Sequence, residues 1–140
     1  MARTSRRGQA PTLDEYARAA ELREALRLFQ RRTEEVTAAH RLTPRIYQLL
    51  LMIKTSRRDG ERAGLTELEE RLQLGKSTVT ELVARAEKRG LVRRDLDRRR
   101  RRGISISLTP TGRRRLAAAL ADLGDERRRL IKILGRSQTR

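Results

Sequence analysis

There is no cysteine in this 140-residue chain, which excludes a thiol redox switch and any Cys-ligated zinc or iron–sulfur site. Histidine occurs once, at His40, and a lone histidine makes no metal site by itself, so neither a metal nor any other cofactor is expected. Aromatics are nearly absent. One Phe, two Tyr and no Trp leave little for bases to stack on, which counts against an RNA-binding or architectural protein that works by stacking or by an intercalating wedge. No run approaches the roughly 18 uninterrupted apolar residues of a membrane helix. The N-terminal MARTSRRGQAP carries a twin arginine, but charged, amphipathic TLDEYARAAELREAL follows it where an export signal would be apolar. A cytoplasmic protein without membrane contact is expected, and the missing cysteine fits a reducing compartment.

What is abundant is positive charge. The net charge is +17, from 35 Lys and Arg against 18 Asp and Glu. Self-repulsion on this scale is a cost unless a polyanion offsets it. A genome rich in G and C would inflate arginine without clustering it, so clustering is the test. Between Arg93 and Arg102 stand seven Arg against two Asp, a net +5 in ten residues.

The stretch LGKSTVTELV at 74–83 ends like a phosphate-cradling loop. Such a loop needs a glycine five positions before Gly75, where Glu70 stands, and a buried strand ahead of it, where TELEERLQL has helical spacing. A nucleotide loop is therefore excluded. Carboxylate pairs such as Glu69 and Glu70 sit among compensating charges, and no Ser, His and Asp grouping emerges, so no catalytic set is present and a non-enzyme is expected.

Residues 1–11 read as a flexible basic arm, 12–135 as one domain and 136–140 as a frayed tail. From Thr12 to His40 a long helix carries a thin stripe of Leu13, Tyr16, Ala17, Ala20, Leu22, Leu26 and Phe29, which suggests a partner helix. Thr43 and Pro44 open a core helix with Ile46, Leu49, Leu50 and Ile53 inward. SRRDGERAG at 56–64 reads as a loop, and Thr66 with Glu69 as a capping box opening a short helix with Leu68 and Leu72 inward, which Gly75 closes in a left-handed turn. In the next helix Val79, Leu82, Val83 and Ala86 face the core, leaving Ser77, Glu81, Ala84 and Lys88 outward with Thr78 and Arg85 beside them. Gly90 stops it. LVRRD and GISISL alternate as strands, forming a hairpin with Arg98, Arg99, Arg100, Arg101 and Arg102 at its tip. Thr109 and Pro110 open a last helical region on Leu116, Leu120, Leu123, Leu130 and Leu134, with Gly124 the candidate break.

A short helix, a tight turn, a helix with a small polar face and a basic hairpin, in that order, follow helix-turn-helix logic, with the second helix bound for a major groove and the hairpin as a wing. The fold class expected is mainly α with a small β-hairpin: a winged helix-turn-helix with a DNA-binding lobe at 42–108 and long dimerisation helices at 12–40 and 109–135. Lys76, Ser77, Thr78, Thr80, Glu81 and Arg85, with Arg98, Arg99, Arg100, Arg101 and Arg102, are the candidate DNA contacts. For Ser77, Thr78 and Glu81 a capping and solvent role is the alternative, with Glu81 pairing to Arg85 four residues on.

LTELEERLQLGKSTVTELVARAEKRGLVRR followed by LTPTGRRRL resembles the multiple antibiotic resistance regulator (MarR) family of bacterial winged-helix transcription factors, over roughly Leu42 to Leu116. The resemblance implies a homodimer joined through its first and last helices on a pseudo-palindromic operator in double-stranded DNA. It also implies release when a small, often aromatic acid fills a cleft between the dimer helices and the DNA-binding lobe. On that basis the expected function is a sequence-specific transcriptional regulator of the nucleoid, a repressor relieved by an effector, with His40, Arg45 and Tyr47 as candidate effector contacts. For His40 a surface or packing role is the alternative, and for Tyr16, Phe29 and Tyr47 core packing. Two departures stand out. The family places an acid directly before a wing arginine pair, where this chain has Arg100, leaving Asp97 to brace Arg101 or the arginine unbraced. The sequence also stops soon after Leu134, from which a smaller dimer interface is expected, or one relying more on the first helix. The competing class is a non-specific architectural DNA- or RNA-binding protein without an effector.

Overall fold

The computed structural model describes residues 8–57, 60–99 and 103–138. In order they form α1 (Leu13–Ala39), α2 (Pro44–Lys54), β1 (Arg62–Ala63), α3 (Leu65–Leu72), α4 (Lys76–Lys88), β2 (Val92–Leu96), β3 (Ile104–Leu108), α5 (Pro110–Asp122) and α6 (Gly124–Gln138). This is the winged helix-turn-helix class, mainly helical. The sheet, however, has three strands in the order β1-β3-β2, both pairs antiparallel. No described helix is long and apolar enough to cross a membrane.

The chain divides into two compact units, one of residues 33–124 and one that joins the start of α1 to α6. The first holds the apolar core. Ile46, Leu49, Leu50 and Ile53 of α2, Leu68 of α3 and Val79, Leu82, Val83 and Ala86 of α4 are buried together with Leu91, Val92, Ile106 and Leu108. Helical periodicity in α2 and α4, and alternation in β3, put these residues on single faces. Thr43 caps α2 by accepting from Ile46 N at 3.2 Å, and Thr109 caps α5 by accepting from Gly112 N at 3.0 Å. Each such cap stabilises its helix by about 1 kcal/mol.

In the second unit α1 opens on a reciprocal capping box: Glu15 Oε2 accepts from Thr12 N at 2.7 Å and Thr12 Oγ1 accepts from Glu15 N at 3.2 Å. Buried Glu126 of α6 accepts from Arg32 Nε of α1 at 3.2 Å. Leu13, Tyr16 and Leu28 of α1 and Ile131 and Leu134 of α6 are left exposed.

Four expectations are corrected. Residues 62–63 leave the expected loop and pair with β3, Arg62 opposite Ser107 and Ala63 opposite Ile106. That strand delivers an extended Gly64 straight into α3, so Gly64 is the N-cap and Thr66 falls inside the first turn; the Thr66–Glu69 capping box does not form. The left-handed residue closing α3 is Gln73, at φ 55° and ψ 44°, whereas Gly75 is extended and opens α4. α6 continues to Gln138, beyond the point where fraying was expected. That break does fall at Leu123 and Gly124. Most of the basic arm, the residues 1–7, lies outside the described residues.

Candidate nucleic-acid interface

The junction between α2 and α3 sets where α4 goes. Ser56 Oγ donates to Glu67 Oε1 at 2.7 Å and the Arg57 amide donates to Glu67 Oε2 at 3.0 Å. Arg71, one turn on, donates to the carbonyls of Met52 at 2.8 Å and Thr55 at 3.1 Å and to Glu67 at 3.3 Å. Arg71 thus satisfies carbonyls left over at the end of α2, while Glu67 accepts from the hydroxyl and amide that follow it, and together they tie α3 to that helix end. Burial would raise the Glu67 carboxyl, but the hydrogen bonds from Ser56, the Arg57 amide and Arg71 outweigh it and hold Glu67 below the usual carboxylate range.

The chain turns at Gln73, whose side-chain Nε2 donates to Glu70 O at 2.6 Å, and α4 begins at Lys76. Val79, Leu82, Val83 and Ala86 point into the core, which forces the other face outward. Lys76, Ser77, Thr80, Glu81, Ala84, Arg85 and Lys88 are exposed and Thr78 is half-buried. Thr80 Oγ1 donates back to Lys76 O at 2.8 Å, so its hydroxyl is partly committed to the helix. The Glu81–Arg85 pair exists only at its limit: 4.0 Å separates the charged atoms and both side chains are 71% exposed. A pair this loose contributes little and leaves the carboxylate free to accept elsewhere.

The hairpin is set against α4 by a fork that sequence spacing does not reveal. Arg94 of β2 donates to both carboxylate oxygens of Glu87, at 3.0 and 2.9 Å. The hydrogen bond from Arg94 lowers the Glu87 carboxyl, and the same bond raises the guanidinium of Arg94. At the turn, Asp97 is buried; its amide donates to Gly103 O at 2.7 Å and its Oδ1 accepts from the Arg99 amide at 3.0 Å. Arg98 and Arg99 are exposed on that turn. Arg100, Arg101 and Arg102 lie outside the described residues, and with them the bracing of Arg101 by Asp97. The described turn joins Asp97 to Arg99 through the Oδ1 atom.

His40, Arg45 and Tyr47 have different surroundings. The His40 ring meets Asp122 of α5 at 2.6 Å, Arg45 is exposed on α2, and Tyr47 is buried in the core of the lobe. A polar cavity of about 300 Å³ lies elsewhere, lined by Glu61 and Arg62 of the β1 segment, Arg93 and Asp95 of β2, Ser107 of β3 and Arg113 of α5. Lys54 and Arg113 both pair with Glu61 there and hold its carboxyl below the usual range, the Lys54 hydrogen bond being the larger cause. Among the described residues no group of three or more His, Cys, Asp or Glu could hold a metal.

An exposed polar helix face held by a short preceding helix, with an arginine-bearing hairpin beside it, defines the winged helix-turn-helix class. Solved structures bear this out. AbsC, a MarR family transcriptional regulator from Streptomyces coelicolor, matches with a TM-score of 0.73 and 24% identity over 84% of this chain and 81% of its own. A mutant MarR from E. coli complexed with operator DNA matches with a TM-score of 0.69 and 18% identity over 88% of this chain and 86% of its own. YusO from Bacillus subtilis matches with a TM-score of 0.61 and 22% identity over 92% and 85%. No protein-family model and no curated protein sequence matches the chain. The fold is that of the MarR-type winged helix-turn-helix structures.

Proposed function

We propose that the chain is a sequence-specific DNA-binding transcriptional regulator rather than an enzyme, acting as a homodimer on a pseudo-palindromic operator. The observation that carries this reading is the N-terminal half of α4, with Ser77 and Glu81 exposed and Thr78 half-buried beside them, in one lobe with a hairpin turn bearing Arg98 and Arg99. A hydroxyl can meet any base edge and a carboxylate can accept from cytosine N4, while arginines serve phosphates and a narrow minor groove. The operator complex of the E. coli MarR mutant supports the same use of this fold. A second copy of this chain would cover the apolar side chains left wet on α1 and α6, of which Leu13 is 85% exposed.

Repression relieved by a small aromatic acid is the finer part of the reading. Its support is the cationic Arg45 on α2 and the His40–Asp122 pair, which an anionic ligand could disrupt. DNA selected from random duplexes and sequenced tests the main reading: enrichment of an inverted repeat with half-sites about 10 bp apart supports it. Loss of that DNA to bulk competitor with no more than a few-fold preference would favour the non-specific architectural class. A panel of aromatic acids that neither shifts thermal stability nor weakens binding removes the effector.

A further inference from the structure

Alternation along β2 places Val92, Arg94 and Leu96 on one side of the sheet. Val92 is buried and Arg94 reaches Glu87, so this is the side that meets α4. Leu96 extends it past the core. At 91% exposure it is the most exposed large apolar side chain among the described residues. Its backbone is nonetheless held: Leu96 pairs across the ladder with half-buried Ile104, and the next residue is the buried Asp97, bonded to Gly103 and Arg99. An apolar side chain fixed in water on so basic a hairpin gains nothing in the free protein.

We propose that Leu96 is an apolar contact of the wing to duplex DNA, packing on the deoxyribose edge of the minor groove without intercalating. Resting on the DNA-binding reading above, the inference adds a contact whose strength is not electrostatic. Charge complementarity selects the occupant. Asp95 and Asp97 flank Leu96, with Arg93 pairing to Asp95 and Arg94 to Glu87, but residues 93–99 keep a net charge of +2, and Arg98 and Arg99 stand exposed on the turn that follows, so a negatively charged surface is the one that suits Leu96 and its turn together. Along a DNA groove, phosphates alternate with apolar sugar edges at this scale, so one residue type can meet each. The pinned turn at Asp97 sets the leucine and the arginines in fixed relation, as a composite contact of this kind requires.

The test measures binding of a fluorescein-labelled mixed-sequence duplex across a salt series, with heparin as a polyanion lacking both groove and deoxyribose. Leu96→Ala should lower duplex affinity about fivefold, by loss of partial leucine burial, and leave the slope of log K against log salt unchanged. Its heparin affinity should equal wild type, and Leu96→Met should restore most of the duplex binding. Arg98→Ala should weaken both polyanions and flatten the slope by about one phosphate contact. A Leu96→Ala protein within about twofold of wild type on duplex, weakened equally on heparin, or altered in its sedimentation as an oligomer overturns the role of Leu96 while wild-type duplex binding stands. Wild-type protein that holds duplex no better than heparin overturns the DNA reading and the leucine contact with it.

Discussion

Gly112, in the first turn of α5, packs directly on the carbonyl of Leu91, leaving no room for a β-carbon between them. The contact is locked by Thr109, which donates from Oγ1 to Gly90 O at 2.5 Å and from its amide to Leu91 O at 3.0 Å while accepting from Gly112 N. The stretches RGLV and LTPTG, which carry the sequence resemblance, are therefore two halves of one contact. It joins the end of α4 to the start of α5 and sets where the wing leaves the lobe.

Gly112→Ala should cost about 2–3 kcal/mol in urea denaturation, because the clash with backbone exceeds the roughly 1 kcal/mol that Ala gains over Gly inside a helix. Gly75→Ala should cost at most about 1 kcal/mol, since Gly75 is extended and has nothing within 4 Å of a β-carbon. Equal losses at the two sites would contradict the close approach at Leu91.

Glu67 predicts a pH dependence. Its carboxyl lies below the usual value in the folded chain, so its stabilisation is complete above about pH 5 and is lost as pH falls through the lowered value. Glu67→Gln should therefore destabilise by about 1–2 kcal/mol at neutral pH, and the gap should close toward pH 3. A gap that is constant from pH 7 to 3 would mean that the charge of Glu67 contributes nothing.

Affinity and specificity should separate between wing and helix. Arg101→Ala or Arg102→Ala should weaken all duplexes alike and reduce the salt slope by about one each. Glu81→Ala should leave random DNA bound as well or better, while discrimination at one base pair falls by roughly 1–3 kcal/mol. Preference intact at every operator position after Glu81→Ala would assign that carboxylate to Arg85 alone.

Leu28→Glu, at an exposed position of α1, should convert a dimer to monomer in light scattering without loss of helicity. An oligomeric state unchanged by Leu28→Glu and by Ile131→Glu together would remove α1 and α6 as the interface.

Much of the lobe was legible because it rests on strong local rules. Thr43-Pro44 and Thr109-Pro110 cap as their letters suggest, and the periodicity of α2 and α4 identifies their buried faces. The misreadings around α3 share one cause: tertiary contacts overrode local preference. Gln73 takes a left-handed turn that glycine would take more cheaply, and Arg41 does so at the end of α1, both fixed by the elements on either side. β1 is two residues long and exists only because β3 lies beside it, so no alternation could announce it. The Glu67–Arg71 spacing could have been noticed as an i,i+4 pair, but its real partners, Ser56, Met52 and Thr55, belong to another helix end. Leu96 carried no signal until its exposure was known.

The short length of β1 also divides the wing mechanically. Near Arg93, Ser107 and Arg62 the sheet is three strands wide, whereas Asp95 and Leu96 face only Ser105 and Ile104. Two-stranded ribbons twist more than wider sheets. The wing therefore has a three-stranded root and a narrower two-stranded end, which depends on the turn bonds of Asp97 to Gly103 and Arg99 for its shape. Amide protons of the outer pairs should exchange with solvent sooner than those at Ile106 to Leu108.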